Sequence, residues 1–141
     1  MTENKKENLN NRMIKFLFEG APVRGACVQM AEEWQEMIKF HHYPENVAAL
    51  LGQFTAGALL LSSTIKFEGS LILQVKGSGP IAFIYAEVRN PMSVRAMAEI
   101  REGAEIKPEM DLQELINKDG KGLCALILDP KDRRPGVQPY Q

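Results

Sequence analysis

Apolar and polar positions alternate in short runs on either side of one long uncharged stretch. That stretch, Asn46–Ile65 (NVAALLGQFTAGALLLSSTI), is the longest in the chain without a charge. Val47, Leu51, Phe54, Ala58, Leu61 and Ile65 recur in it at steps of four and three, which predicts one face of a helix. A second face carries Ala48, Gly52, Thr55, Ala56 and Leu59, mostly small residues that let another layer approach. Pro44 and Glu45 suit its first turn, by fixed φ and by charge against the helix dipole. A helix without a charged face is expected to be covered on more than one side. Its length also fits a membrane span of about 20 residues. Six polar residues, two glycines and the lack of a second such segment favour a buried helix and no membrane partner.

The flanking runs predict strands and two shorter helices. Met13 to Phe18 reads as a first strand, Glu19-Gly20-Ala21-Pro22 as a turn and Val23 to Val28 as a second strand. Ala31 to His41 is expected to be helical, with Ala31, Trp34, Ile38 and His41 on one face and acids in the first turn. Beyond the central helix, Ser70 to Lys76 and Ile81 to Val88 form a predicted hairpin joined by Gly77-Ser78-Gly79-Pro80. Met92 to Arg101 alternates as a half-buried antiparallel strand does, with Met97 on the wet side. Asp111 to Glu114 has capping-box spacing, and a short helix to Asn117 follows. Leu123 to Leu128 is apolar on both faces, which predicts a central strand. Asp129 to Gly136 reads as a charged loop, with Val137 to Tyr140 returning beside that strand. The class is α+β, a layered β/α/β arrangement with the buried central helix between mostly antiparallel sheets.

At 141 residues the chain matches one domain, with 1–12 as a flexible polar arm and 13–141 as the folded unit. The formal net charge is −1, from 17 basic and 18 acidic residues, and no basic stripe supports nucleic-acid binding. No apolar signal-peptide core follows the N-terminal arm, so a cytoplasmic protein is expected. Cys27 and Cys124 form neither a disulfide framework nor a zinc motif, and their apolar neighbours predict burial.

The sequence carries no recognisable catalytic or ligand-binding motif. His41 and His42 are adjacent and so do not face each other on a helix. GSGP at Gly77 to Pro80 lacks the ending of a phosphate loop and leads into a strand. There is no nucleophile elbow and no paired-histidine zinc motif. The expectation is a non-enzyme with no catalytic, cofactor-binding or metal-binding residue. Met92, Met97 and Met110 could add to an adaptable apolar surface for varied partners.

Several motifs, weak alone, are specific as an ordered set. They are Phe16 to Glu19 with Val23-Arg24-Gly25, then His41-His42-Tyr43-Pro44 and Leu50-Leu51-Gly52. Lys66-Phe67-Glu68-Gly69-Ser70, Gly77 to Pro80 and Pro139-Tyr140-Gln141 continue the order. From about Met13 onward the chain resembles the bacterial thirty-three-kilodalton heat-shock proteins, the redox-regulated holdase chaperones also called HslO. The resemblance implies the family's N-terminal domain and an ATP-independent holding of unfolding proteins under oxidative stress. It also implies a homodimer, sometimes formed by exchange of segments, and client positions that no residue here identifies. The family's zinc is held by four cysteines, a C-x-C and a C-x-x-C pair, in a C-terminal domain. None of the four is present here, so no zinc or redox role passes to Cys27 or Cys124. The chain is expected to be a fragment without the switch, with a scaffold for dimerisation as the alternative to client binding.

Overall fold

The computed structural model describes residues 12–66, 68–90, 93–131 and 139–141. The central helix forms where the periodicity places it, as α2 (Glu45–Thr64), with Pro44 at its N-cap. Its hydroxyl side chains are satisfied within the helix. The Thr55 hydroxyl, fully buried, donates to the Leu51 carbonyl at 2.6 Å. Ser62, Ser63 and Thr64 donate to the carbonyls of Leu59, Leu60 and Leu61. Back-bonding of this kind lets a helix carry hydroxyls through an apolar setting.

Two antiparallel sheets receive this helix. The first is a hairpin of β1 (Arg12–Leu17) and β2 (Arg24–Gln29), in register from Arg12 opposite Gln29 to Leu17 opposite Arg24. The second holds β3 (Gly69–Lys76), β4 (Ile81–Asn90), β5 (Ser93–Ile100) and β6 (Leu123–Pro130) in the order β5-β4-β3-β6. Alternation fixes which side chains face the helix. Val47 and Leu51 from the first half of α2 join Ile81, Ile84, Ala98, Leu115 and Ile116 in one cluster. Ala58 and Leu59 from its second half meet Leu71, Ala86 and Val88 in another. Phe54 touches both clusters. On the hairpin side, Met13, Val28 and Met30 pack on the second cluster, and Trp34 and Tyr43 on the first. The α+β class with its central helix against both sheets therefore stands.

Four details differ from the sequence reading. α2 leaves Ala49, Gln53, Leu61 and Thr64 exposed, a stripe at helical spacing that neither sheet reaches. Ala49, Gln53 and Thr64 tolerate water there without charge, and Leu61 is exposed beside them. α1 (Glu32–Ile38) is shorter than Ala31 to His41, since no side chain caps its start and none of its residues is fully buried. Leu123 to Leu128 is not central, because β6 lies at the edge of its sheet. Leu126 and Leu128 reach the core, whereas Leu123 is 66% exposed. Asp129 and Pro130, expected in a loop, extend β6, and Pro is tolerated at the end of an edge strand. Tyr140 bridges Leu128 from outside the sheet, with N–H to carbonyl bonds of 2.9 and 3.0 Å. Val137 and Gln138 of the expected return lie outside the described residues, as does Met92.

The capping box at α3 (Leu112–Leu115) is present in both halves, Asp111 accepting from the Glu114 N–H and Glu114 from the Asp111 N–H. It holds Leu115 and Ile116 in the core and their carbonyls against the β3–β4 turn. Gly79 N–H donates to the Ile116 carbonyl at 3.1 Å. A Cβ on Gly77 would lie 1.8 Å from that oxygen, and one on Gly79 2.3 Å from the Leu115 oxygen. Arg101 closes the turn from the other side, its Nε donating to the Gly79 carbonyl at 2.9 Å. GSGP is thus a packing device, and its glycines admit backbone rather than phosphate.

Candidate interaction surface

The β1–β2 hairpin has two faces, and α2 takes only part of one. Met13 and Val28 at its base point to the helix. The opposite face carries Ile14, Phe16, Phe18, Val23 and Cys27, all exposed. Phe16 and Phe18 meet edge to face at 5.7 Å, and the Phe16 ring lies over Gly25, where a Cβ would come within 2.2 Å of it. Leu17, at the tip, is 80% exposed. Six of the eleven exposed large apolar residues among those described (Ile14, Phe16, Leu17, Phe18, Val23 and Phe40) lie between positions 12 and 40. A patch this concentrated marks an interaction site more often than scattered surface leucines do.

The four-stranded sheet likewise has an outer face, and register assigns it Ile72, Phe83, Tyr85, Met97 and Ile127. Met97 is 40% exposed there. One carboxylate on that face, Glu87, is only 4% exposed because its neighbours close over it. Tyr85 Oη donates to Glu87 Oε2 at 2.6 Å, Arg89 Nε to Oε1 at 2.9 Å and Arg95 Nε to Oε2 at 2.8 Å. Burial by itself would raise the Glu87 carboxyl, but these hydrogen bonds and one from Ser70 outweigh it and hold it down at about 2. Burial, then the hydrogen bond to Glu87 and its negative charge, push the Tyr85 hydroxyl up to about 12. Both groups keep one protonation state near neutrality, so the cluster works as a fixed clasp between β4 and β5. It is not poised for proton transfer.

Nothing else described gathers chemistry. Cys27 and Cys124 are exposed, not buried, because one sits on the uncovered hairpin face and the other near the start of the edge strand β6. They lie in different sheets, and no group of three His, Cys, Asp or Glu among the described residues could hold a metal ion. These residues therefore do not fit a zinc site. His41 stacks on Tyr43 at 5.1 Å. An open groove of about 460 Å³ runs beside Pro44, Glu45, Asn46, Ala49, Ile106 and Pro108, but the Asn46 amide is bound to the Lys107 and Met110 carbonyls. Of the surface methionines, Met97 is exposed and Met110 is packed against the first cluster. Trp34 is half-buried, its ring against Gly52 of α2.

Known proteins are similar to this chain in sequence over nearly its whole length. Its residues 11–141 match the family model described as Hsp33 protein. The chain belongs to the Hsp33 family. Similar proteins named 33 kDa chaperonin include one from Neisseria gonorrhoeae, 39% identical over 136 residues that make up 95% of this chain and 44% of the relative. Another, from Aliivibrio salmonicida, is 38% identical over 87% of this chain and 40% of its own length. A third, from Chromobacterium violaceum, is 36% identical over 88% of this chain and 40% of its own length. The chain spans about two-fifths of the length of these curated relatives. The Hsp33 match includes KFEGS and GSGP, and the structure gives the second a physical role in seating α3. Hairpin exposure is what sequence reasoning missed. The only available signal was the apolar run at Phe16 to Phe18 ending in a turn, which reads equally well as a buried strand.

Proposed function

We propose that this chain is the client-holding part of a redox-regulated, ATP-independent holdase chaperone of the cytoplasm, and not an enzyme. What supports holding is the apolar hairpin face around Ile14, Phe16 and Phe18, left open beside a core that is complete without it. An unfolding polypeptide presents apolar side chains and unpaired backbone, and an open strand edge with an apolar face can meet both. Family membership and the relatives' name of chaperonin support the same reading. Zinc and redox control belong, in this proposal, to a C-terminal domain outside residues 1–141, since the residues described here do not fit a zinc site.

Light scattering of a heat-unfolding enzyme tests it. Added chain is expected to suppress aggregation equally with and without peroxide, and Phe16→Ser with Phe18→Ser to weaken that suppression while leaving thermal stability near that of the unaltered chain. Absence of suppression by the unaltered chain would overturn client holding within these residues. A second reading, a homodimerisation module with or without exchanged segments, is favoured by β6 lying at a sheet edge with Leu123 open. A monomeric mass in solution at high concentration would remove it.

A further inference from the structure

We infer that residues 12–42 open from the rest of the fold as one unit, while the four-stranded sheet stays closed, and that opening uncovers the apolar side of α2 beneath them. The segment is contiguous, and Pro44 at the N-cap of α2 ends it. Among the described residues its strands pair with each other and not with the four-stranded sheet. A two-stranded ribbon is marginally stable alone, and so is a helix of seven residues. α1 has no side-chain cap, no basic residue in its last turn and no fully buried residue. The segment is held to the fold by the packing of Met13, Val28, Met30 and Trp34 on the two clusters, with the His41 ring stacked on Tyr43 at its end.

The docked state also carries a cost. Glu33 Oε2 is buried without a hydrogen-bond partner among the described residues. Desolvation raises its pKa, so an ionised Glu33 works against docking. The other side of the fold shows the opposite balance. Leu51, Leu59, Ile81 and Ile84 are fully buried, and β3 is paired on both edges. Local opening follows such differences in buried contact.

Lifting the segment would free Phe54, Leu59 and the groove at Gly52, where Trp34 ring atoms now lie 3.4 Å from a Cβ position. That the uncovered surface adds to the client site rests on the holdase reading proposed above. The opening itself does not.

Native-state hydrogen exchange of this chain, read by mass spectrometry, separates the two. The hydrogen-bonded amides of β1, β2 and α1 are expected to share one opening equilibrium. They should exchange at least 100-fold faster, after correction for intrinsic rates, than those of β3 and β4. Trp34→Ala should speed exchange across the hairpin as well as α1 and leave β3 and β4 unchanged. Protection of the hairpin equal to that of β3 would overturn the inference. Independent rates in the hairpin and α1, or a Trp34→Ala effect confined to α1, would overturn the single unit. A chain that opens in this way but fails to suppress aggregation would refute the holdase reading and leave the opening intact.

Discussion

Glu87→Gln isolates one charge on the open face of the sheet. Gln keeps the volume and one acceptor oxygen of Glu87, so packing is preserved while the charge is lost. In the fold the carboxyl is lowered from 4.5 to about 2. At 1.36 kcal/mol per pKa unit, that drop corresponds to about 3 kcal/mol favouring the ionised form. Arg89 and Arg95 are 60% and 67% exposed at their side chains and rehydrate when their partner is neutralised. The loss expected at about pH 7 is therefore about 2–3 kcal/mol, within the range for charge-assisted hydrogen bonds.

The sign with pH is fixed by the lowered pKa. Stability from Glu87 is full above its unfolded value and disappears as pH falls towards 2, so the gap between the two proteins should shrink to about 1 kcal/mol near pH 3. Urea unfolding followed by far-ultraviolet circular dichroism measures it. Trp34 fluorescence is unsuitable because Trp34 belongs to the segment inferred to open separately. The denaturant slope should not change, since the surface exposed on unfolding is the same. A gap equal at both pH values would show that Gln disturbs packing, and the account of Glu87 as a charged clasp would fail.

Other expectations concern the frame around the surface. Gly79→Ala should destabilise by about 1–3 kcal/mol or more, because its methyl would meet the Leu115 carbonyl and displace α3, and a thermal scan reads this. Gly57→Ala should do the reverse, adding about 0.5–1 kcal/mol, since nothing lies within 4 Å of its Cβ position inside α2. Asp111→Ala removes the cap that seats Leu115 and Ile116 and should cost about 0.5–2 kcal/mol in chemical denaturation. Leu51→Ala, at the centre of the first cluster, should cost about 2–5 kcal/mol and lower the unfolding midpoint without changing the register of β3 and β4, as their backbone amide shifts would show.

What the sequence determined by itself is the local order of this protein. The period of the apolar residues from Val47 to Ile65 is a property of one helix, and its partner layers do not alter it. The same holds for the alternation of Val94, Ala96, Ala98 and Ile100, and for the Asp111–Glu114 box, since each is set by backbone geometry within a few residues. Tertiary structure alone decided which sides stay open. Leu123 to Leu128 looks central because both its faces are apolar, yet a strand's place in a sheet depends on what pairs with its second edge, and no residue of β6 encodes that. Cys27 and Cys124 look buried because their neighbours are apolar, yet burial depends on whether another layer reaches them. The hairpin shows the same limit most plainly. Ile14, Phe16 and Phe18 would read identically in a core strand, and they face water because α2 packs on the other face, that of Met13 and Val28, and no second layer among the described residues covers theirs.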